Sequence, residues 1–226
     1  MKTNSETFFE SYCTARGITW EKIRETTTRT PDYELTIRGQ RIIVEVKEIT
    51  ANDEEKESDR LSRERGYGKV LSMTPGERVR KKITDCSAQI KARTIGVHPS
   101  ILVLFDQTPT LAHLDPYHIR VAMYGLDQVY IALPPIGTGS PEITGMGYGP
   151  KRKMTETHNT SISAIGVLFF RGPDDMRLHI YHNKFASVPL DSTLLATYGI
   201  EQFELDDERP GTTAQWREII LKNEYG

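Results

Sequence analysis

The stretch from Pro31 to Lys47 constrains this chain more than any other. Tyr33, Leu35 and Ile37 alternate with Glu34 and Thr36, the period of a half-buried β-strand. Arg38-Gly39-Gln40 supplies a tight turn, with Gly39 free to take a positive φ. Residues 42–46 then run as an apolar strand interrupted by a single acid, Glu45. Side chains two apart on a strand share a face, so Glu45 and Lys47 point the same way. A carboxylate set into an apolar strand is costly unless it is paired or bound to a metal. Any fold for this chain has to account for Glu45.

Around that hairpin the sequence alternates helical and extended patterns. A first helix is predicted over residues 5–16, capped by Asn4 or Ser5 and ended by Gly17. Phe8, Phe9, Tyr12 and Cys13 form its apolar stripe, and Glu10 lies at the stripe's edge. Glu10 is either a solvated helix acid or an extra carboxylate reaching toward the hairpin. An extended segment covers residues 20–25. After Ile49 the polar, acidic residues 51–59 suggest a loop, and from residue 60 to 93 the charge turns strongly basic. Gly66-Tyr67-Gly68 marks a flexible basic loop carrying an aromatic.

Thr74 and Pro75 look like the cap and first residue of a helix reaching about residue 93, with Val79, Ile83, Cys86 and Ile90 on its apolar side. At about 100° per residue, Arg78, Lys82, Gln89 and Arg93 line one border of that stripe. They are either a solvated face or a basic rail, with Gln89 placed to contact phosphate or a metal-held water. Residues 101–106 are a buried strand, 116–125 a short helix and 129–133 another strand. The Gly/Pro-rich segment 134–154 ends near Lys151-Arg152-Lys153, as a surface loop or a flap that touches phosphate.

Two further strands follow at 161–170 and 177–181, separated by a turn at 172–175. His158-Asn159 and His182-Asn183 flank them, and such a pair at a strand end is more often a hydrogen-bonding cap than a ligand set. Residues 190–199 and 212–224 suggest helices, with an acidic connector at 204–208. The order predicts an α/β fold: a three-layer sandwich with a central mixed sheet flanked by helices. A single domain, 1–226, is expected, with a core over about 5–133 and an elaboration over 134–226.

Composition narrows the function classes. With 37% hydrophobic and 27% charged residues the chain reads as a soluble globule, and no apolar run approaches the roughly 20 residues of a membrane span. The amino-terminal residues lack the apolar core of a signal peptide. Cys13 and Cys86 have neither zinc spacing nor a neighbouring cysteine, which suits reduced thiols in a cytoplasm. A net charge of −2 gives no global pull toward nucleic acid, so such binding would need local patches.

The hairpin suggests chemistry of its own. Asp32, Glu45 and the Val46 carbonyl can surround one divalent cation, and oxygen donors of this hardness suit Mg²⁺, with Mn²⁺ as a substitute. Lys47, on the face of Glu45, can orient or help deprotonate an attacking water and offset charge on a phosphorane. Glu54-Glu55-Lys56 also satisfies a Glu-x-Lys spacing after Asp32, but no apolar strand surrounds it.

Pro31-Asp32 with Glu45-Val46-Lys47, a preceding helix carrying Glu10, a following helix carrying Gln89 and the strand at Ile101 resemble the PD-(D/E)xK nuclease superfamily. The resemblance covers roughly the first half of the chain. It implies a restriction-endonuclease-like core and a Mg²⁺-dependent hydrolase cutting phosphodiester bonds, DNA more than RNA, as an endonuclease or an exonuclease. It implies Asp32 and Glu45 as metal ligands, Lys47 serving the nucleophilic water, and Glu10 as a further ligand. Gln89 resembles the helix glutamine of the exonuclease-like branch, where a tyrosine is expected four residues on; here that position is Arg93. Two rival expectations stand beside it: a non-catalytic nucleic-acid-binding module on the same fold, and a protein-interaction subunit. A homodimer would suit double-strand cleavage.

Overall fold

Thr3, not Asn4 or Ser5, caps the first helix, α1 (Asn4–Ala15), in a capping box with Glu6. Gly17 ends it at φ 68°, in the left-handed region glycine adopts without strain. The computed structural model describes residues 2–24, 29–68, 72–109, 113–172, 175–207 and 214–220. The helix turns into β1 (Thr19–Lys22), and the hairpin follows as β2 (Tyr33–Ile37) and β3 (Gln40–Ile49). Arg38 (φ 48°) and Gly39 (φ 78°) are both left-handed, which makes the connection a two-residue turn of the kind that matches strand twist.

Residues 51–59 are not a loop. They open α2 (Asp53–Arg65), capped reciprocally by Asn52 and Glu55 and laced by ion pairs such as Arg60–Glu57 and Arg63–Asp59. None of its residues is buried. The helix has no apolar stripe to reveal it, so capping and charge pairing carry it. The basic helix is α3 (Glu77–Thr94). Its cap is Gly76 rather than Thr74, and Val79, Ile83, Cys86 and Ile90 are fully buried as the stripe predicts. It crosses over to β4 (Ser100–Asp106), which pairs parallel to β3.

Next comes α4 (Pro116–Tyr124), capped by Asp115 with Pro116 at its first position. The strand expected at 129–133 is β5 (Asp127–Ala132), but it does not join the main sheet. It pairs with β6 (Glu142–Tyr148), inside the presumed loop, to make a separate two-stranded ribbon. The main sheet resumes with β7 (Ala164–Phe170) and β8 (Met176–His182); residues 173–174 of the turn between them lie outside the described residues. The short α5 (Ser192–Ala196) leads to β9 (Glu201–Asp206), where an acidic connector was expected. Finally β10 (Gln215–Glu218) occupies the middle of the helix expected over 212–224, whose remaining residues apart from 214, 219 and 220 lie outside the described part.

Among the described residues the sheet has eight strands in the order β1-β2-β3-β4-β7-β8-β9-β10. It is mixed: β3–β4, β4–β7 and β8–β9 are parallel and the other neighbours antiparallel. Alternation along the strands sorts the buried residues into two cores. Val44, Val46, Ile101 and Val103 pack with Phe9 and Tyr12 of α1 and Leu194 and Leu195 of α5. Leu102, Leu104, Ile165 and Val167 pack with Val79 and Ile83 of α3 and Ile119 and Met123 of α4. The chain is therefore α/β, a large mixed sheet with helices on both faces.

Cys13 belongs to the first core and Cys86 to the second, both as free buried thiols with the sheet between them. The caps read from His182 and Asn183 are present: His182 meets Gln202 at 3.0 Å and Asn183 donates to the Ile162 carbonyl at 2.8 Å. Among the described residues no helix is long and apolar enough to cross a membrane.

Candidate functional site

β2 begins only at Tyr33, whose partner is Val44, so β3 runs on past its neighbour. Asp32 fills that gap. Its amide donates to the Val44 carbonyl at 3.1 Å, and its Oδ2 accepts the Val46 amide at 2.8 Å. The N–H and C=O of one strand residue point to the same side, so the Val46 carbonyl is presented along this edge too. The carboxylate of Asp32 is thus pinned to the backbone between Glu45 and Lys47.

Glu45 and Lys47 share the α3 face of β3, as their spacing requires. Glu45 is fully buried, while the Lys47 side chain is about one-third exposed; the two form an ion pair. Neither oxygen of Glu45 has a well-formed hydrogen bond among the described residues. Burial, and then the charge of Asp32, push Glu45 up to about 7, against smaller pulls from Lys47 and Gln89. Asp32 is also raised, first by burial, although the Val46 amide and Lys47 oppose the rise. Burial alone would lower Lys47. The Glu45 carboxylate beside it, with Asp32 behind, more than offsets that and leaves Lys47 firmly cationic.

The acid that α1 brings into Asp32's field is Glu6, one helical turn before Glu10. Glu6 is buried, binds Lys22 at 2.6 Å, and raises Asp32 through its negative charge. Its own acidity is enhanced: Lys22 and Thr3 more than offset the effect of burial. Glu10 instead accepts the Tyr33 hydroxyl at 2.8 Å and pairs with Lys2 at 2.5 Å. The signal for Glu6 was the Thr3-x-x-Glu6 spacing of a capping box, together with its place four residues before Glu10 on the same helix face.

The border residues of α3 separate into different roles. Gln89 is buried and acts on Glu45. Lys82 is half-buried, and its affinity for a proton is lowered by burial and by the nearby Lys47. Arg78 is occupied in holding the structure together, donating to the Thr50 carbonyl and to Glu55, both at 3.0 Å. Arg93 lies 3.7 Å from Glu34, which Arg41 also pairs. Lys151, Arg152 and Lys153 follow the ribbon instead, with Lys153 tied by its amide to the end of α4 through the Ala122 and Met123 carbonyls. Among the described residues no ion pair joins those three to the Asp32–Glu45–Lys47 group, whose own ion pair is between Lys47 and Glu45.

Among the described residues no group of three or more His, Cys, Asp and Glu side chains is gathered closely enough to hold a metal. Asp32 and Glu45 offer two hard carboxylates, with a strand carbonyl beside them. That donor set fits Mg²⁺, which commonly takes one or two protein carboxylates and keeps several waters. The buried oxygens of Glu45, whose one ion pair is with Lys47 and which lack a well-formed hydrogen bond, fit it as well.

The fold and the site together define an α/β protein with two acids and a lysine converging beside a strand that outruns its neighbour. Comparison with family models, with curated proteins and with solved structures finds no match to this chain.

Proposed function

We propose that the protein is a metal-dependent nuclease of the PD-(D/E)xK type, hydrolysing phosphodiester bonds in DNA in preference to RNA, with Asp32, Glu45 and Lys47 as its site. The observation that carries this reading is Glu45: a fully buried carboxylate, without a well-formed hydrogen bond, set into the field of a second carboxylate that the backbone pins in place. A fold keeps such a pair at a cost, and a divalent cation relieves it. The element order supports a restriction-endonuclease-like core. A helix, three antiparallel strands, further helix and a strand parallel to the third form one end of the sheet.

A Mg²⁺ ion held by Asp32, Glu45 and the Val46 carbonyl would supply Lewis acidity to the scissile phosphate. Lys47 contributes a fixed positive charge. Its cationic state suits orienting an attacking water through an N–H donor and stabilising the phosphorane better than it suits taking a proton. Gln89 steadies Glu45 from α3, and Lys82 adds a second cation on the same border.

The test is incubation of the purified chain with single- and double-stranded DNA and with RNA, in Mg²⁺ or Mn²⁺ and in chelator. Metal-dependent cutting of DNA that is lost in Glu45→Ala and Lys47→Ala is expected. Cutting that continues at the parental rate in both variants would overturn the assignment.

A further inference from the structure

The β5–β6 ribbon leaves the body between the end of α4 and Lys153, and its root is held fast. Arg120 donates to both oxygens of Asp127, at 2.7 and 2.6 Å, and the Tyr148 hydroxyl donates to Asp207 at 3.0 Å. The two ends close up there, with the Gly149 amide donating to the Leu126 carbonyl at 2.6 Å. Gly125 (φ 95°) has no room for a side chain, since a Cβ on it would lie 2.6 Å from the Gly149 carbonyl oxygen. Beyond this root no third strand joins the ribbon among the described residues. A two-stranded ribbon is at best marginally stable alone in water, and one that also bares an apolar face calls for a cover.

The register sorts apolar residues onto one face. Val129 stands opposite Met146 and Ile131 opposite Ile143, and cross-strand partners point to the same side. Val129 and Ile131 are two apart on β5, so both pairs share that side. Ile143 and Met146 are three apart, and an unbroken strand would send them to opposite faces; the bulge beside Tyr130 and Ile131 restores the phase. The other face belongs to Tyr130, whose ring lies across β6, 3.1 Å from the point a Cβ on Gly147 would occupy. Half of the large hydrophobic residues that the protein exposes among its described residues fall within residues 126–143. Leu126, Val129, Ile131, Leu133, Ile136 and Ile143 are all exposed, from 42% for Leu126 upward. At on the order of 100 Å² of apolar surface for each such side chain, they supply most of the roughly 800 Å² that each partner gives to a stable interface.

Charge decides what the partner is. Residues 128–141 carry none. Glu142 is exposed at the far end of β6, and Lys151 and Arg152 are exposed just past its root; none of the three is held in an ion pair among the described residues. At about 3.4 Å per residue, Glu142 stands roughly 20 Å out from Tyr148. Two copies laid face to face, about a two-fold axis crossing the arms, bring each Glu142 to the other's Lys151 and Arg152 and each apolar tip to the other's Leu126. The face thus complements itself, whereas a uniformly acidic or basic surface would match one end of it and repel the other. We infer that the apolar face of the β5–β6 ribbon is the self-association surface of this protein, covered by a second copy packed arm against arm with tip at root. The inference is independent of the nuclease reading, since no residue of the Asp32–Glu45–Lys47 group takes part.

Sedimentation velocity of the full-length protein over a concentration series tests the inference, and a dimer that dissociates on dilution is expected. Ile143→Glu should weaken it roughly tenfold or more, because it sets an unpaired charge in the covered face. Glu142→Arg, and separately Lys151→Glu with Arg152→Glu, should each weaken the dimer as well. An equimolar mixture of those two proteins should pair as tightly as the parent, because every tip then meets a root of opposite charge. Circular dichroism should show each variant folded like the parent, and the charge exchange decides the matter even if Ile143→Glu fails to fold. A parent that stays monomeric up to roughly 100 µM overturns the inference and leaves the face to a protein of another sequence or to a lipid surface. So does a dimer that folded Ile143→Glu leaves intact, or a mixture that pairs no better than either variant alone.

Discussion

Replacing Glu45 by glutamine should make the metal-free protein more stable at alkaline pH. The folded chain holds Glu45 at about 7, against an ordinary value of 4.5. Between those values the native state binds a proton that the unfolded chain has released. Stability therefore falls as pH rises through that window, and the full cost is present above about 7. At roughly 1.4 kcal/mol per tenfold change in proton affinity, the cost is on the order of 3 kcal/mol. Full burial of the side chain keeps solvent from screening it. Glutamine preserves shape and removes the charge, so the variant should gain nearly nothing near pH 4.5 and up to about 3 kcal/mol near pH 8. For a chain of this length that is roughly 2–4 °C in melting temperature for each kcal/mol. Asp32 relaxes in the same direction, because the charge of Glu45 no longer opposes its ionisation. Urea unfolding followed by far-ultraviolet circular dichroism in chelator, at pH 5 and pH 8, measures the difference directly. Parallel pH profiles for parent and variant, or a variant less stable at pH 8, would refute the electrostatic account of this site. Mg²⁺ should reduce the slope in the parent and leave the variant's unchanged.

Lys47→Met removes the cation that restrains Glu45, so the carboxylate should titrate above about 7, seen as an alkaline shift in its carboxyl ¹³C titration. Cutting, where it is measured, should fall by roughly 10²-fold or more, as when one charge-stabilising donor is removed from a transition state. Glu6→Gln keeps the capping box but deletes a charge that opposes ionisation of Asp32, so Asp32 should become more acidic by NMR titration; Glu10→Gln should leave Asp32 nearly unmoved. Asn52→Ala should cost about 1 kcal/mol of local stability. Because α2 buries none of its residues, hydrogen exchange should accelerate across Asp53–Arg65 while the global unfolding midpoint stays put.

The parts of this fold that bury an apolar periodicity were legible in the sequence. Tyr33, Leu35 and Ile37 wrote β2, and Val79, Ile83, Cys86 and Ile90 wrote the buried side of α3. Where stability comes from another source the pattern was silent. The helix α2 rests on an Asn52–Glu55 box and charge pairs, so its composition resembled a loop. In β9, Phe203 and Leu205 alternate with Glu204 and Asp206, a period of two hidden among acids; in β10 the single apolar Trp216 sets no period at all. The pairing of Glu45 with Lys47 followed from strand geometry alone. The choice of Glu6 over Glu10 as Asp32's neighbour did not, because it depends on which turn of α1 lies beside β1, through the Lys22–Glu6 contact.

Among the described residues both outer strands of the sheet are four residues long, Thr-Trp-Glu-Lys in β1 and Gln-Trp-Arg-Glu in β10, each with a half-buried tryptophan among exposed neighbours. Short, charged margins are poor templates for another chain's backbone. Eight strands can therefore coexist in one protein without inviting edge-to-edge growth into fibrils. The β5–β6 ribbon is built the opposite way, with Tyr130, Ile131 and Ile143 each more than half exposed. Whatever sticking this molecule does at high concentration should pass through the side chains of that arm, and not through the hydrogen-bonding rims of its sheet.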